Sequence, residues 1–386
     1  MERDPRLDFL RGVALVMIFI DHMPGNLFSY LTLQNLGLSD AAEVFVLIAG
    51  IAAYLAYARL FARLGFFDAT AAVIGRVRQL YVVHLMLFLL VTSITAGAAI
   101  HFGDPMYLES MALDLLVQDP PAAILRLVTL TYLPQYLDIL PLYIVLIAFL
   151  PFSLLLFRVG AFAPLSASLA IFALARWLGL NLPNLPESRM WFFNPFAWQL
   201  LFVIGLTLAH LHRLGRWHVP APRLVTVFAL AYLLFAFVAV APWTDIPAFA
   251  NATLLPFGLL PPVNKTNLSL LRLTDVLAQA WVAWMFFSRT GPVLQSFVGK
   301  AMTLAGRNSL DVFALGAVLS TIGSIVLKAT QYDVGIEIAY SVGGIAVMVA
   351  YAALVEWRRK VQRSAPPFPA EPPGLIAGNL RQESAR

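Results

Sequence analysis

Apolar residues run in long blocks along this chain, and short polar or basic interruptions separate them. Crossing a bilayer takes about 20 mostly apolar residues in a helix. Ten blocks approach or reach that length: 9–27, 41–58, 79–99, 139–157, 161–180, 195–211, 223–241, 274–288, 308–327 and 335–355. They predict ten transmembrane helices, with 274–288 the shortest. The first block is followed by Asp21-His-Met-Pro-Gly-Asn26 instead of a small-residue cleavage pattern, so it is expected to remain as a helix.

Charge supplies the orientation. Cytoplasmic loops collect Arg and Lys. Arg3, Arg6 and Arg11 open the first block, Arg59, Arg63, Arg76 and Arg78 follow the second, and Arg158, Arg213, Arg216, Arg223, Arg289, Lys300 and Arg307 mark later loops. Arg358, Arg359, Lys360 and Arg363 close the series. All fall on one side if both termini are cytoplasmic. The other side holds fewer: Arg126, Arg176, Arg189, Lys265, Arg272 and Lys328. The expected class is therefore an all-α, polytopic integral membrane protein with about ten transmembrane helices. Residues 1–357 form its membrane domain, and 358–386 form a disordered, basic and Pro-rich cytoplasmic tail. Outer loops 100–138 and 242–273 exceed simple connections and are expected to build a partly structured cap. No internal repeat of the transporter kind is visible.

Composition sharpens this picture. The sequence is 60% hydrophobic and 12% charged, with a mean hydropathy of +0.79. A soluble fold could not hide that much apolar surface. A net charge of +5 could point to nucleic acid, but the cations sit between apolar runs and not in a stripe with interleaved aromatics, so no nucleic-acid partner is expected. The chain contains no cysteine, which excludes disulfides and thiolate chemistry. The six histidines show no metal-ligand spacing. His210 and His212 diverge on a helix. No metal site is expected.

Ionisable groups inside apolar segments are costly and serve as functional hypotheses. The first segment carries Asp8, Arg11, Asp21 and His22. Eleven residues are close to three helical turns, so Arg11 and His22 share a face about 16 Å apart along the axis. Asp8, one turn earlier, can hold Arg11. A guanidinium near the cytoplasmic headgroups suits the phosphates of a CoA thioester, and an imidazole near the outer side suits proton removal from a hydroxyl. The alternative is that Arg11 snorkels and His22 caps the helix before Pro24. Asp21 points about 100° away from His22 and can bind the acceptor or join a network. Glu43 is either a dipole-compensating first-turn acid behind the cap Asp40, or an orienter of His22 or a ligand for the acceptor. Arg76 and Arg78 are either topology charges or anion ligands, with Arg307 a further candidate for the donor phosphates. Asp138 is either a helix cap or an acceptor ligand, and Tyr136 either an interfacial aromatic or a sugar-stacking surface. His84, near the cytoplasmic end, reads as structural or donor-contacting. Asn308 or Ser309 reads as a helix cap with Asp311 in the first turn.

Arg6-Leu-Asp8-Phe-Leu-Arg11-Gly12 with Asp21-His22, followed by Phe45-Val-Leu-Ile-Ala-Gly50, resembles the opening of the "acyltransferase three" membrane enzymes, whose hallmark is an Arg and a His with ten residues between. Within that superfamily, three segments resemble the OpgC family, named for succinylation of osmoregulated periplasmic glucans. They are Tyr136-Leu-Asp138-Ile-Leu-Pro141-Leu-Tyr143, Lys265-Thr266-Asn267-Leu268 with Leu271-Arg272, and Gly306-Arg307-Asn308-Ser309-Leu310-Asp311-Val-Phe313. Ala49-Gly50 departs from the Ser-Gly common in the wider superfamily. The resemblance implies a multi-helix fold in the bacterial inner membrane and acyl-CoA, succinyl-CoA first, as donor substrate, with no permanently bound cofactor. It also implies a periplasmic glucan as acceptor, a catalytic role for His22 and a donor role for Arg11. The competing reading is a glycan or acyl-carrier transporter that performs no covalent chemistry. A succinyl group would need a cation beside the thioester, and Arg126, Arg189, Lys265 and Arg272 all qualify by sequence.

Overall fold

A computed structural model of the chain describes residues 4–185, 189–216, 218–241 and 263–364. The described chain is 78% helical with almost no strand. In order come α1 (Pro5–Asp21), α2 (Leu33–Leu36), α3 (Ala41–Phe102), the short α4 (Met106–Glu109) and α5 (Asp114–Gln118), α6 (Pro120–Val128), α7 (Ile139–Ala148), α8 (Leu150–Leu156) and α9 (Ala163–Leu178). A two-residue antiparallel pair follows, β1 (Pro183–Asn184) and β2 (Arg189–Met190). Then come α10 (Pro195–Arg213), α11 (Pro222–Val240), α12 (Leu270–Phe286), α13 (Pro292–Gln295), α14 (Phe297–Arg307), α15 (Ser309–Ala329) and α16 (Val334–Ser364).

Helix covers each of the ten expected segments, with several corrections. Five helices, α3, α10, α11, α15 and α16, are long and apolar enough to cross a membrane, and a sixth is added if α7 and α8, bent by 42°, count as one span. The bend follows from Pro151, which lacks an amide proton and crowds the carbonyl four residues back. The expected loop 59–78 is helical. Two arms of α3 meet at Gly65, whose φ of 81° and ψ of −176° are open to glycine alone among ordinary residues. The first helix stops at Asp21, short of residue 27. Its cap His22 donates its backbone N–H to the Ile18 carbonyl at 3.1 Å, and Pro24 with Gly25 at φ +83° turns the chain away. At the other end, α16 continues past Arg358 to Ser364, beyond the expected boundary at 357. The remaining tail and 242–262 of the expected outer cap lie outside the described residues.

Each junction has a local cause. Asp4 caps α1, accepting from the Arg6 N–H at 3.1 Å, with Pro5 in the first turn. Burial opposes the charge of Asp4, but hydrogen bonds from Arg6 and the charges of Arg6 and Arg289 outweigh it and hold its carboxyl below the usual range. Asp40 and Glu43 form a capping box on α3.

Helices in lipid gain from close van der Waals packing, which small residues permit. A Cβ on Gly12 would lie 1.9 Å from the Met302 carbonyl oxygen, and one on Gly306 would lie 1.8 Å from that of Asp8, so α1 and α14 meet backbone to backbone. Gly50 and Gly205 do the same for α3 and α10, with 2.0 Å to the Phe202 oxygen and 2.3 Å to the Leu47 oxygen. These contacts place α1 among α3, α14 and α15 at the centre of the bundle.

Candidate active site

Two cavities lie beside α1. The larger, about 750 Å³, is bounded by the end of α1, the start of α3, the segment 132–139, the β1–β2 pair and the loop at 265–266. Asp21, His22, Tyr136 and Asp138 all line it. Two pairs of candidate residues more than a hundred positions apart in sequence are thus brought together. The second, about 330 Å³, is lined by Arg11, Arg76 and Arg307 with Tyr57, Phe45 and Phe313. Three of the four arginines assigned to the donor meet there. Ile139, the first residue of α7, lines both cavities. Arg11 and His22 thus open onto two chambers with a shared wall.

In the larger cavity, the His22 ring packs against Tyr136, with centroids 4.8 Å apart and planes tilted by 46°. Tyr136 has φ of 67°. That left-handed backbone is strained for a large aromatic residue, and such strain persists where surrounding structure holds it. The Ser324 hydroxyl donates to the His22 carbonyl at 3.1 Å and ties the turn to α15. Asp21 accepts from the Thr32 hydroxyl at 2.7 Å, so it joins the turn after α1 and also faces the cavity. Asp138 sits at the N-cap position of α7 but makes no side-chain cap hydrogen bond. Side-chain capping therefore does not account for it, and the residue lines the chamber.

Glu43 is corrected. It is completely buried, does not line the cavity, and spends its oxygens elsewhere. One accepts from Arg272 Nε at 2.6 Å and the other from the Asp40 N–H at 3.0 Å. It is a cap and an ion-pair partner and does not orient His22. Arg78 is corrected as well: it is exposed on α3 and lines neither cavity. His84 is fully buried within α3 and lines neither cavity. Asn308 occupies the cap position of α15, but its side chain bonds the Leu304 and Ala352 carbonyls and accepts from Arg359, which also pairs with Asp311. Ser309 is the first residue of that helix.

The second cavity owes its charge cluster to the glycine contacts. Asp8, buried between α1 and α14, lies 3.9 Å from Arg11 Nη1 and 3.6 Å from Arg307 Nε. Gly12 and Gly306 adjoin these two arginines, so the backbone contact that they permit brings both guanidiniums to one carboxylate. Arg76 comes from the far arm of α3, returned by the break at Gly65. Three cations and one acid around an aromatic-lined chamber favour a polyanion.

Sequence reasoning passed over a third feature. The Asp40 carboxylate is held by Lys265 Nζ at 2.5 Å and by Arg272 Nη2 at 3.0 Å. One turn after Arg272, the buried Asp275 accepts from the Ser39 N–H at 2.9 Å, the Ser39 hydroxyl at 2.6 Å and Gln279 at 2.7 Å. Helix α12 thereby grips residues 39–43, of which Asp40, Ala41 and Ala42 line the larger cavity. The available signal was an Arg and an Asp three residues apart inside an apolar helix.

The resemblance of the sequence motifs agrees with a broader match. No curated protein and no solved structure matches the chain. A family model described as OpgC protein matches residues 3–360. That match spans the whole bundle, both cavities and the α12 clamp, so the chain belongs to the OpgC family.

Proposed function

We propose that this protein is an O-acyltransferase of the bacterial inner membrane, multi-pass with both termini cytoplasmic. It moves an acyl group, succinyl first, from cytoplasmic acyl-CoA to a hydroxyl of a periplasmic glucan. The observation that carries the reading is the pairing of two chambers across one wall. One is rich in guanidinium, and the other holds His22, Asp21, Tyr136 and Asp138.

Arg11, Arg76 and Arg307 bind the CoA phosphates, which stay at the cytoplasmic mouth because hydrocarbon excludes them. The pantetheine arm extends past Ile139 and brings the thioester to His22. Asp138 and Asp21 accept hydrogen bonds from sugar hydroxyls, and Tyr136 offers a face for the ring and fixes the imidazole. The imidazole of His22 takes the proton from the attacking hydroxyl. The sugar oxygen bonds to the thioester carbonyl carbon, the carbon–sulfur bond breaks, and the departing CoA sulfur takes up the proton from the imidazolium. A volume of about 750 Å³ lies within the usual range for small-ligand sites.

The test uses purified protein in liposomes with succinyl-CoA and glucan. Thioester consumption with acylated glucan is expected, and His22→Ala is expected to lower turnover by about 10²–10⁴-fold with insertion and thermal unfolding unchanged. Full activity of His22→Ala removes the base role. Movement of unmodified glucan without thioester loss replaces the enzyme reading with a transporter.

A further inference from the structure

We infer that Lys265 reads the free carboxylate of a dicarboxylic acyl group at the His22 cavity. The inference rests on the acyl-transfer reading above and names the residue that sets its donor class. A four-carbon diacid carries its second carboxylate two methylenes from the thioester carbonyl, so the cation that recognises it must line the chamber that holds His22. Of the four cations open to this role by sequence, Arg126 does not line that chamber. Arg272 is buried, with its Nε on Glu43 and its Nη2 on Asp40. Arg189 lines the chamber from an exposed strand, where water and salt screen its charge. Lys265 lines the chamber, half-buried, with Nζ 5.4 Å and 5.5 Å from the ring centroids of Phe192 and Phe193.

Lys265 is also built to exchange partners. Its root is fixed: the buried Trp198 donates its indole N–H to the Lys265 carbonyl at 3.0 Å and to the Thr266 carbonyl at 3.2 Å. The Asn194 N–H adds 3.1 Å to the Thr266 carbonyl. Its ammonium rests on Asp40, which Arg272 holds independently. When the ammonium turns to a substrate carboxylate, Asp40 keeps a cation, and no buried acid is left alone. A cation whose only partner depended on it would lack that freedom.

The test compares succinyl-CoA with butyryl-CoA, which replaces the carboxylate with a methyl, in liposomes holding the full chain and glucan. The wild type is expected to prefer succinyl-CoA by roughly tenfold or more in kcat/KM, with Lys265→Met bringing the ratio near one and Lys265→Arg retaining most of it. Should Lys265→Met fail to fold, the ratio read on Lys265→Gln decides in the same way. A wild type without preference, or an unchanged ratio in the neutral variant, overturns the inference and leaves acyl transfer standing. Consumption of neither thioester by the wild type overturns both.

Discussion

Arg272→Met tests the clamp beneath the larger cavity. The guanidinium serves Glu43 at 2.6 Å and Asp40 at 3.0 Å. Methionine preserves most of the apolar stem, so the packing loss is small and the electrostatic loss dominates. Asp40 retains Lys265, but Glu43, with no exposed surface, loses its cation and keeps only the Asp40 N–H. Leaving one member of a buried pair alone costs about 3–5 kcal/mol. With an unfolding entropy of roughly 2.1 cal/mol/K per residue over 386 residues, that lowers the melting temperature by about 4–6 °C. Adding Glu43→Gln removes the stranded charge, and the double variant is expected to recover about 2 kcal/mol relative to the sum of the single changes. Thermal unfolding of the purified variants in one detergent gives all three numbers. An Arg272→Met protein that melts with the wild type, or a double variant equal to the sum, refutes the ion-pair account of this clamp.

Two further outcomes follow from the packing. Gly306→Ala places a Cβ 1.8 Å from the Asp8 carbonyl oxygen, so α14 must move away from α1 at a cost of about 1–3 kcal/mol. Because that movement also separates Arg11 from Arg307, KM for the acyl-CoA donor is expected to rise more than kcat falls, as read by steady-state kinetics in liposomes. Ile139→Trp fills the wall between the chambers, and it is expected to suppress thioester consumption while CoA binding, measured by titration calorimetry, persists.

Part of the candidate site was legible because charge in an apolar segment is expensive and so stands out. Arg11 and His22 were visible for that reason, and helical spacing paired them; Asp138 and Arg307 stood out instead at the ends of apolar blocks. Glu43 was misread, because a first-turn acid beside a cap looks the same in sequence whether it faces a cavity or a cation from a distant helix. Arg78 was included because topology charges and phosphate ligands share one composition. The stretch 59–78 reads as a loop because its basic residues interrupt the apolar blocks, although a single glycine, Gly65, redirects the chain between two helical arms.

Hydrophobic periodicity and the cost of unpaired backbone groups in lipid determined, from sequence alone, that this chain forms apolar helices with a few polar faces. Which polar faces meet was decided only by tertiary structure. Gly12 with Gly306, and Gly50 with Gly205, set how closely helices approach, and that approach brings Arg307 to Asp8 and helps to close the bundle around the chambers. The grip of α12 on residues 39–43 and the anchoring of Lys265 by Trp198 join segments separated by tens to hundreds of residues. Such contacts depend on the register of packed helices, and local sequence does not encode that register.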